Sequence, residues 1–150
     1  MTGTIAIDLF LTLDGVGQGP GGPEEDLDGG FRFGGWQAPY DDDAVGRAVM
    51  ERIATIDALL LGRRTYDIWA DYWPLHTDDP IGERFDRIPK YVASRTPRDL
   101  AWKGAVRIGD DLASEVAALR DRHEHVHVIG SLDLVQTLLA EMLYDELLLW

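Results

Sequence analysis

The sequence predicts an α/β domain built around a mostly parallel β-sheet. Three observations lead to this fold class. Short apolar segments of strand character alternate with segments whose apolar residues recur at helical spacing. The length of 150 residues favours one domain, spanning 1–150, over two. The composition, 45% hydrophobic and 27% charged residues, is ordinary for a globular protein.

The N-terminal third predicts a strand, a long loop and a helix. Residues 4–13 alternate and are rich in Ile, Leu and Phe, which indicates a strand. Residues 14–35 carry many glycines and prolines, so we expect an irregular loop, and loops of this length are often functional. Asp41–Asp43 then offers a helix cap before apolar residues at helical spacing, which are Val45, Val49 and Ile53.

The remaining elements continue the alternation of strands and helices. We expect strands over 57–61, 90–94, 105–108, 125–129 and 143–150. The apolar positions of the helices between them are Tyr66, Trp69 and Trp73; Ile81, Phe85 and Ile88; Leu112, Val116 and Leu119; and Leu134, Val135, Leu138 and Leu139. The expected helix caps are Thr65, Asp110 or Asp111, and Ser131.

Charge and composition exclude several classes of function. The formal net charge of −13 disfavours nucleic acid and anionic membranes as partners. No run of about 20 apolar residues predicts a membrane-spanning helix. The sequence has no cysteine, so disulfides and thiolate sites are excluded. Because no basic segment opens the chain, we expect no secretory signal and a cytoplasmic location.

Three predicted strand-to-helix turns carry residues suited to anions. Gly62–Thr65 places two arginines at a helix start, 94–98 follows a strand with hydroxyls and arginines, and 129–131 joins a strand to a helix through a glycine. Each turn alone is equally explained as a surface turn, a polar loop or a plain connection. Together they fit one extended polyphosphate ligand such as a dinucleotide, provided that the three turns converge on a single groove.

Standard nucleotide fingerprints are missing from the sequence. The glycine-rich stretch at 17–23 lacks the Gly-Lys-Ser/Thr ending of a P-loop. No G-x-G-x-x-G pattern follows a strand and opens a helix, which disfavours a standard Rossmann cofactor site.

Four motifs in order resemble the dihydrofolate-reductase-like superfamily, and in particular its RibD C-terminal-domain family. Residues 59–66 resemble the cofactor-phosphate turn of this fold, and 91–95 its next cofactor strand. The turn at 128–131, with its following helix, resembles the glycine turn beneath the pyrophosphate. Leu13-Asp14-Gly15-Val16 resembles the opening of the riboflavin-biosynthesis reductases, and the segments 18–23 and 35–36 are similar to bacterial members.

The resemblance implies a three-layer fold with helices on both faces of the sheet and NADPH as cofactor. It implies reduction of a small heterocycle, of the kind of 5-amino-6-(5-phosphoribosylamino)uracil or a dihydropterin. The cofactor-binding residues that it implies are Gly15, Val16, Gly62, Arg63, Arg64, Thr65, Ser94, Arg95, Thr96, Ile129, Gly130, Ser131 and Leu132.

The resemblance also suggests catalytic and substrate-binding residues. Trp36 to Asp41 has the W-x-x-P-x-D spacing found around the proton-relay carboxylate of dihydrofolate reductases, which implies Asp41 as the relay. Asp14 is a second candidate for catalysis, and Trp36 and Asp14 are candidates for substrate binding. The alternatives are that Asp41–Asp43 only cap the helix and that Asp14 only serves a turn. Other aromatics could line the pocket, although Tyr66 and Trp69 are expected in the core.

The sequence departs from the family pattern at two places. Dihydrofolate reductases have a Gly-Gly pair where this chain has Gly130-Ser131. Members usually continue past the sixth strand with a hairpin, whereas Trp150 ends this sequence on an apolar strand. Either the chain is cut, the gene product is short, or a partner supplies the edge. From the apolar edge we expect a homodimer formed through the C-terminal strand.

Two other functions compete with the reductase. A non-catalytic nucleotide-binding or dimerisation module would keep the fold and lose turnover. An acidic hydrolase with paired carboxylates has little support, because the aspartates lie in loops and caps. His125 and His127 share a strand face, but no third ligand accompanies them, so we expect no metal site.

Overall fold

The computed structural model describes residues 2–150 of the chain. The strands are β1 (Thr4–Leu9), β2 (Ala58–Gly62), β3 (Lys90–Ala93), β4 (Ala105–Ile108), β5 (His125–Ile129) and β6 (Glu146–Leu149). The α-helices are α1 (Asp43–Thr55), α2 (Arg63–Tyr72), α3 (Pro80–Arg87), α4 (Leu112–Leu119) and α5 (Leu132–Ala140). Among these helices, none combines the length and apolar character that a membrane crossing requires.

The strands form one sheet in the order β4-β3-β2-β5-β1-β6, and every ladder is parallel. Parallel neighbours need crossover connections, which the intervening helices and loops supply. Because all strands run the same way, their carboxyl ends meet along one edge of the sheet, where ligands of open α/β sheets bind. The expected mostly parallel sheet is therefore wholly parallel.

Two hydrophobic cores cover the two faces of the sheet and give three layers. On one face, Leu59, Leu61 and Val92 pack with Ile53 of α1, Tyr66 of α2 and Phe85 of α3. On the other face, Ile5, Ile7, Leu60 and Val128 pack with Val116 and Leu119 of α4 and Leu134 and Leu138 of α5. Residues of alternating position along each strand point to opposite faces, and because both faces are covered, most residues of the buried strands are apolar.

The largest differences from the sequence-based expectations lie at three element boundaries, while other strand ends shift by one residue. β1 ends at Leu9 rather than Leu13, because a turn follows in which Gly15 N–H donates to the Thr12 carbonyl at 2.9 Å. β6 begins at Glu146 rather than 143, because Leu143 N–H donates to the Leu138 carbonyl and so still belongs to the C-terminal end of α5. α2 begins at Arg63, so Gly62 and not Thr65 is its N-cap.

The long loop before α1 is folded on itself. The Trp36 indole Nε1–H donates to the Gln18 carbonyl at 2.9 Å, and Gly35 N–H donates to the Gly19 carbonyl at 2.8 Å. A Cβ at Gly34 would lie 2.5 Å from the Pro23 carbonyl oxygen, so this crossing requires glycine. Trp36 therefore holds the two ends of the loop together.

Candidate functional site

A groove with a volume of about 1120 Å³ lies at the carboxyl ends of β1, β2, β3 and β5. Its lining includes all three turns that the sequence singled out, with Gly62–Thr65, Ser94–Thr96 and 129–132 among the lining residues. Parallel strands explain this convergence, because each turn follows a strand that ends at the same sheet edge. Eleven of the predicted cofactor-binding residues therefore share one concave surface, and their role stays a prediction.

The turns after β2 and β5 are joined by two hydrogen bonds. Gly62 N–H donates to the Ser131 hydroxyl at 2.9 Å, and Ser131 N–H donates to the Thr65 hydroxyl at 3.0 Å. Ser131 is the N-cap residue of α5 but adopts a left-handed φ of 56° and makes no side-chain cap bond. Ser131 thus holds the expected N-cap position of α5, whereas the expectation that Thr65 caps α2 is wrong, and both hydroxyls join the turns.

The two helices that open on the groove differ from the other three. α1, α3 and α4 each have an aspartate at the N-cap whose carboxylate accepts from first-turn N–H groups; these are Asp42, Asp79 and Asp111. α2 and α5 have no side-chain cap. Helix N-termini carry orphan N–H groups and a partial positive charge, so uncapped ends facing a groove are suited to an anion.

Three arginines reach the groove from the predicted turns. Arg63 lies 3.6 Å from Asp67 in an exposed ion pair, and Arg64 pairs with Asp28 of the long loop. Arg95 is exposed and pairs with no acidic side chain of residues 2–150. Exposed pairs are weak, so these guanidiniums remain available to a phosphate.

Ser94 takes part in building the turn that follows β3. It is buried, and its hydroxyl donates to the Thr96 carbonyl at 2.9 Å. Gly109 packs against it so closely that a Cβ there would lie 2.8 Å from the Ser94 carbonyl oxygen. The Ser94 hydroxyl is therefore engaged in the turn, and the exposed Arg95 and Thr96 form its outer part.

The remaining predicted site residues lie outside the groove lining. Gly15, Val16 and Asp14 are absent from it, although residues 17–21 of the same loop line it. Trp36 closes the loop, and its neighbour Gln37 reaches the groove instead. Asp41 is exposed beside Asp42, and Asp42 rather than Asp41 caps α1. Neither Asp41 nor Asp14 lines the groove. Asp41 lies just before α1, and Asp14 lies in the turn after β1, where it accepts a hydrogen bond from Thr12.

A charged cluster that the sequence did not reveal lies within the groove lining. Asp8 of β1 accepts a hydrogen bond from Arg52 Nε of α1 at 2.8 Å and lies 2.7 Å from His127 Nδ1 of β5. Arg52 also reaches Glu146 of β6 at 3.4 Å. Asp8 and His127 are only 5% and 4% exposed. A buried carboxylate requires such partners.

The cluster keeps the Asp8 carboxyl ionised. Burial would raise the pKa of Asp8, but hydrogen bonds from His127 and Arg52, together with their charges, outweigh burial and hold the pKa below its ordinary value. Asp14 also has a lowered pKa, because the Thr12 hydroxyl donates to it at 2.6 Å, and this disfavours Asp14 as a proton donor. The available signal for Asp8 was a lone charge within an apolar strand.

Beside the cluster, the groove has an apolar wall. It is formed by half-buried side chains of α1, α2 and α3, including Val49, Trp69 and Ile81, with the buried Ile53 and Phe85 behind them. The rings of Trp69 and Phe85 are stacked with centroids 5.1 Å apart. Tyr66, by contrast, is 3% exposed in the core and donates no surface to the groove. A polar cluster facing an apolar wall is typical of a small-molecule pocket.

The histidines near β5 serve separate contacts. His127 is engaged with Asp8, whereas His125 is exposed and lies 3.5 Å from the Thr4 hydroxyl. Throughout residues 2–150, no three His, Asp or Glu side chains are grouped so as to hold a metal ion. The shared face of His125 and His127 is real, but only His127 reaches the groove.

Comparison with known proteins identifies a family and one relative. A family model described as "RibD C-terminal domain" matches residues 3–150. The chain is also similar to "Uncharacterized protein YyaP" of Bacillus subtilis (strain 168), with 27% identity over 151 residues that cover 95% of this chain and 70% of the relative. The family match spans the whole sheet and the groove, whereas the relative's name states no activity.

Proposed function

Because the chain belongs to the RibD C-terminal domain family, whose fold is reductase-like, we propose that it binds NADPH in the groove and reduces a small heterocycle. The observation that carries this proposal is the convergence of the three turns on one surface. An adenine dinucleotide phosphate carries several separated phosphates, and one groove with three anion-suited turns matches that pattern.

The residues present fit this cofactor. The uncapped N-termini of α2 and α5 offer N–H groups to a pyrophosphate, while Arg63 and Arg64 supply charge beside them. Arg95, at the end of β3, would meet a further phosphate. When bound, the nicotinamide supplies a hydride, and the protein's part is to position it against the substrate and to manage the proton.

The substrate class follows from the rest of the groove. The apolar wall with Val49, Trp69 and Ile81 suits the face of a flat ring. Beside this wall, Arg52 is already paired with Asp8 and Glu146. We therefore propose a pyrimidine- or pterin-like heterocycle, with a riboflavin precursor as one member of that class.

The proposal is tested by binding of NADPH to matched arginine variants. Arg63→Ala should weaken NADPH binding by about 1.5–3 kcal/mol, the value of a hydrogen bond to a charged group, because its guanidinium lies at the predicted phosphate turn. Arg87→Ala is the matched control. Like Arg63, Arg87 forms an exposed ion pair with an acidic residue one turn away on its helix, here Glu83, but Arg87 lies outside the groove. Dissociation constants are measured by quenching of tryptophan fluorescence.

The outcomes separate clearly. In the wild type, millimolar NADPH should raise the melting temperature. No thermal shift with NADPH or NADH, or equal affinity in Arg63→Ala and wild type, would contradict the proposal. NADPH binding without reduction of any pterin, pyrimidine, nitro or carbonyl compound would favour a non-catalytic nucleotide-binding module.

Two further expectations stay predictions. β6 is an edge strand, and its Leu147 and Leu149 are 42% and 62% exposed, which agrees with a homodimer formed through this strand. The cytoplasmic location likewise stays a prediction.

A further inference from the structure

Asp8 and His127 form a buried pair on one face of the sheet. Ala6 and His127 are register partners of neighbouring strands, and Asp8 follows Ala6 by two residues, so both side chains point to the α1 face. Their side chains are 8% and 5% exposed, and both line the groove. The strand backbone fixes the position of His127, and moving its ring away would remove one of the two hydrogen-bonding partners of the buried Asp8 carboxylate.

The partners of Asp8 leave one reactive atom free. Oδ1 of Asp8 accepts a hydrogen bond from Arg52 Nε at 2.8 Å. Oδ2 accepts two hydrogen bonds, one from Arg52 Nη2 at 3.4 Å and one from His127 Nδ1 at 2.7 Å. An ionised carboxylate only accepts, so Nδ1 of His127 carries the hydrogen. Nε2 makes no hydrogen bond to any residue in the range 2–150. It is the one titratable atom of this cluster left for a ligand.

We infer that His127 Nε2 donates the proton in the reduction, with Asp8 and Arg52 as positioning residues. This inference rests on the proposed function. In the step, hydride from NADPH forms a C–H bond with the carbon of a substrate C=N bond. The π electron pair moves to nitrogen, which takes the proton from Nε2. NADPH is oxidised to NADP⁺, the imine is reduced to an amine, and neutral His127 regains a proton from water.

The surroundings of His127 suit this role. The charged groups around His127 are Asp8 on β1, Arg52 on α1 and, beyond Arg52, Glu146 on β6. On the other neighbouring strand, β2, the register partner of His127 is the apolar Leu59. Asp8 orients the ring through Nδ1, as the aspartate of a Ser-His-Asp triad orients its histidine. The neighbouring apolar wall would keep bulk water from competing for the proton.

The test compares His127→Gln with His125→Gln. The glutamine amide can still donate to Asp8 but holds no transferable proton, while His125 lies on the same strand, exposed and outside the groove. NADPH oxidation is followed with three probes: 7,8-dihydrofolate, 5-amino-6-(5-phosphoribosylamino)uracil and 3,4-dihydroisoquinoline. For the probe that the wild type reduces, His127→Gln should lower kcat by about 100- to 10,000-fold. Its NADPH dissociation constant should change less than threefold.

Two readouts test the proton itself. The wild-type kcat should fall as pH rises, because the donor must be protonated, and this decline should vanish in His127→Gln. ¹⁵N NMR of histidine-labelled wild type, at a pH where the ring is neutral, should show the proton on Nδ1 and none on Nε2. This measurement needs neither turnover nor a variant that folds.

The outcomes distinguish the two proposals. A wild type that reduces a probe while His127→Gln keeps its kcat within threefold overturns the assignment of His127 and leaves the reductase intact. An Nε2-protonated neutral ring also overturns it. A wild type that binds no NADPH, or binds it and reduces none of the probes, overturns the proposed function and this inference together.

Discussion

A single buried carboxylate, that of Asp8, holds together the charged cluster of the groove. Asp8 stands within an apolar strand, and burying its charge would be costly without the contacts from Arg52 and His127. Its partners come from α1 and β5, which are far apart in sequence and join only through the fold. The three residues therefore act as one unit, in which loss of Asp8 removes the partner that Arg52 and His127 share.

This unit predicts how stability depends on pH. Asp8→Asn should lower the free energy of unfolding at neutral pH by about 3 kcal/mol, the lower end for breaking a buried pair. The folded-state pKa of Asp8 lies below its ordinary value, so its contribution is present above the ordinary carboxyl pKa and is lost as pH falls through the folded-state pKa. The gap between wild type and variant should therefore narrow below about pH 4.

Urea unfolding across this pH range measures the gap. Asp78→Asn is the control, because Asp78 is exposed, and its effect should stay within about 0.5 kcal/mol. If the difference in free energy of unfolding between wild type and Asp8→Asn stays constant as pH falls below about 4, the account of Asp8 is contradicted.

Sequence reasoning found the arginines of the site and missed this carboxylate. Arg63, Arg64 and Arg95 stand in turns where a local pattern of strand, glycine and helix start is visible. Asp8 acquires its meaning from His127 and Arg52, which only the sheet and α1 bring to it. Asp41, conversely, had a suggestive local spacing, yet it lies at the start of α1, outside the groove.

At the scale of the element, the turns after β2 and β5 form one structural unit. Gly62 N–H and Ser131 N–H are each satisfied by a hydroxyl from the opposite turn. This pairing fixes the starts of α2 and α5 relative to one another, and both starts line the groove without a side-chain cap.

Removing one of these hydroxyls should be costly. Thr65→Val keeps the shape of the side chain but leaves Ser131 N–H without its acceptor, which should lower the free energy of unfolding by about 1–3 kcal/mol. Thr55→Val is the matched control, because the exposed Thr55 hydroxyl only donates to the nearby Arg52 carbonyl. Chemical denaturation of both variants checks this, and equal stabilities would contradict the role given to the pair.

The sequence predicted which helices and strands are present better than it predicted where they begin and end. The spacing of apolar residues predicted β4, α4 and β5 at their observed positions. The end of β1 was missed because residues 10, 11 and 13 are still apolar, while the turn that ends the strand depends on contacts with residues 15 and 16. The start of α2 was missed because Gly62 passes directly from strand into helix, with no capping side chain to mark it.

At the scale of the whole molecule, parallel topology creates the site. The turns at 62–65, 94–96 and 129–131 are widely separated in sequence, and a sheet in which every strand runs the same way brings them to one edge. The net charge of −13 makes the remaining surface repel anions, so an anionic cofactor would be held only where arginines and helix starts converge.

The most direct measurement of this convergence is an NMR titration of the ¹⁵N-labelled chain with NADPH. The account predicts that the amides of 62–65, 95–96 and 130–132 shift together with one dissociation constant, while those of Asp41–Asp43, which lie outside the groove, stay unchanged. Absence of shifts at millimolar NADPH, or shifts confined to only one of the three turns, would contradict it.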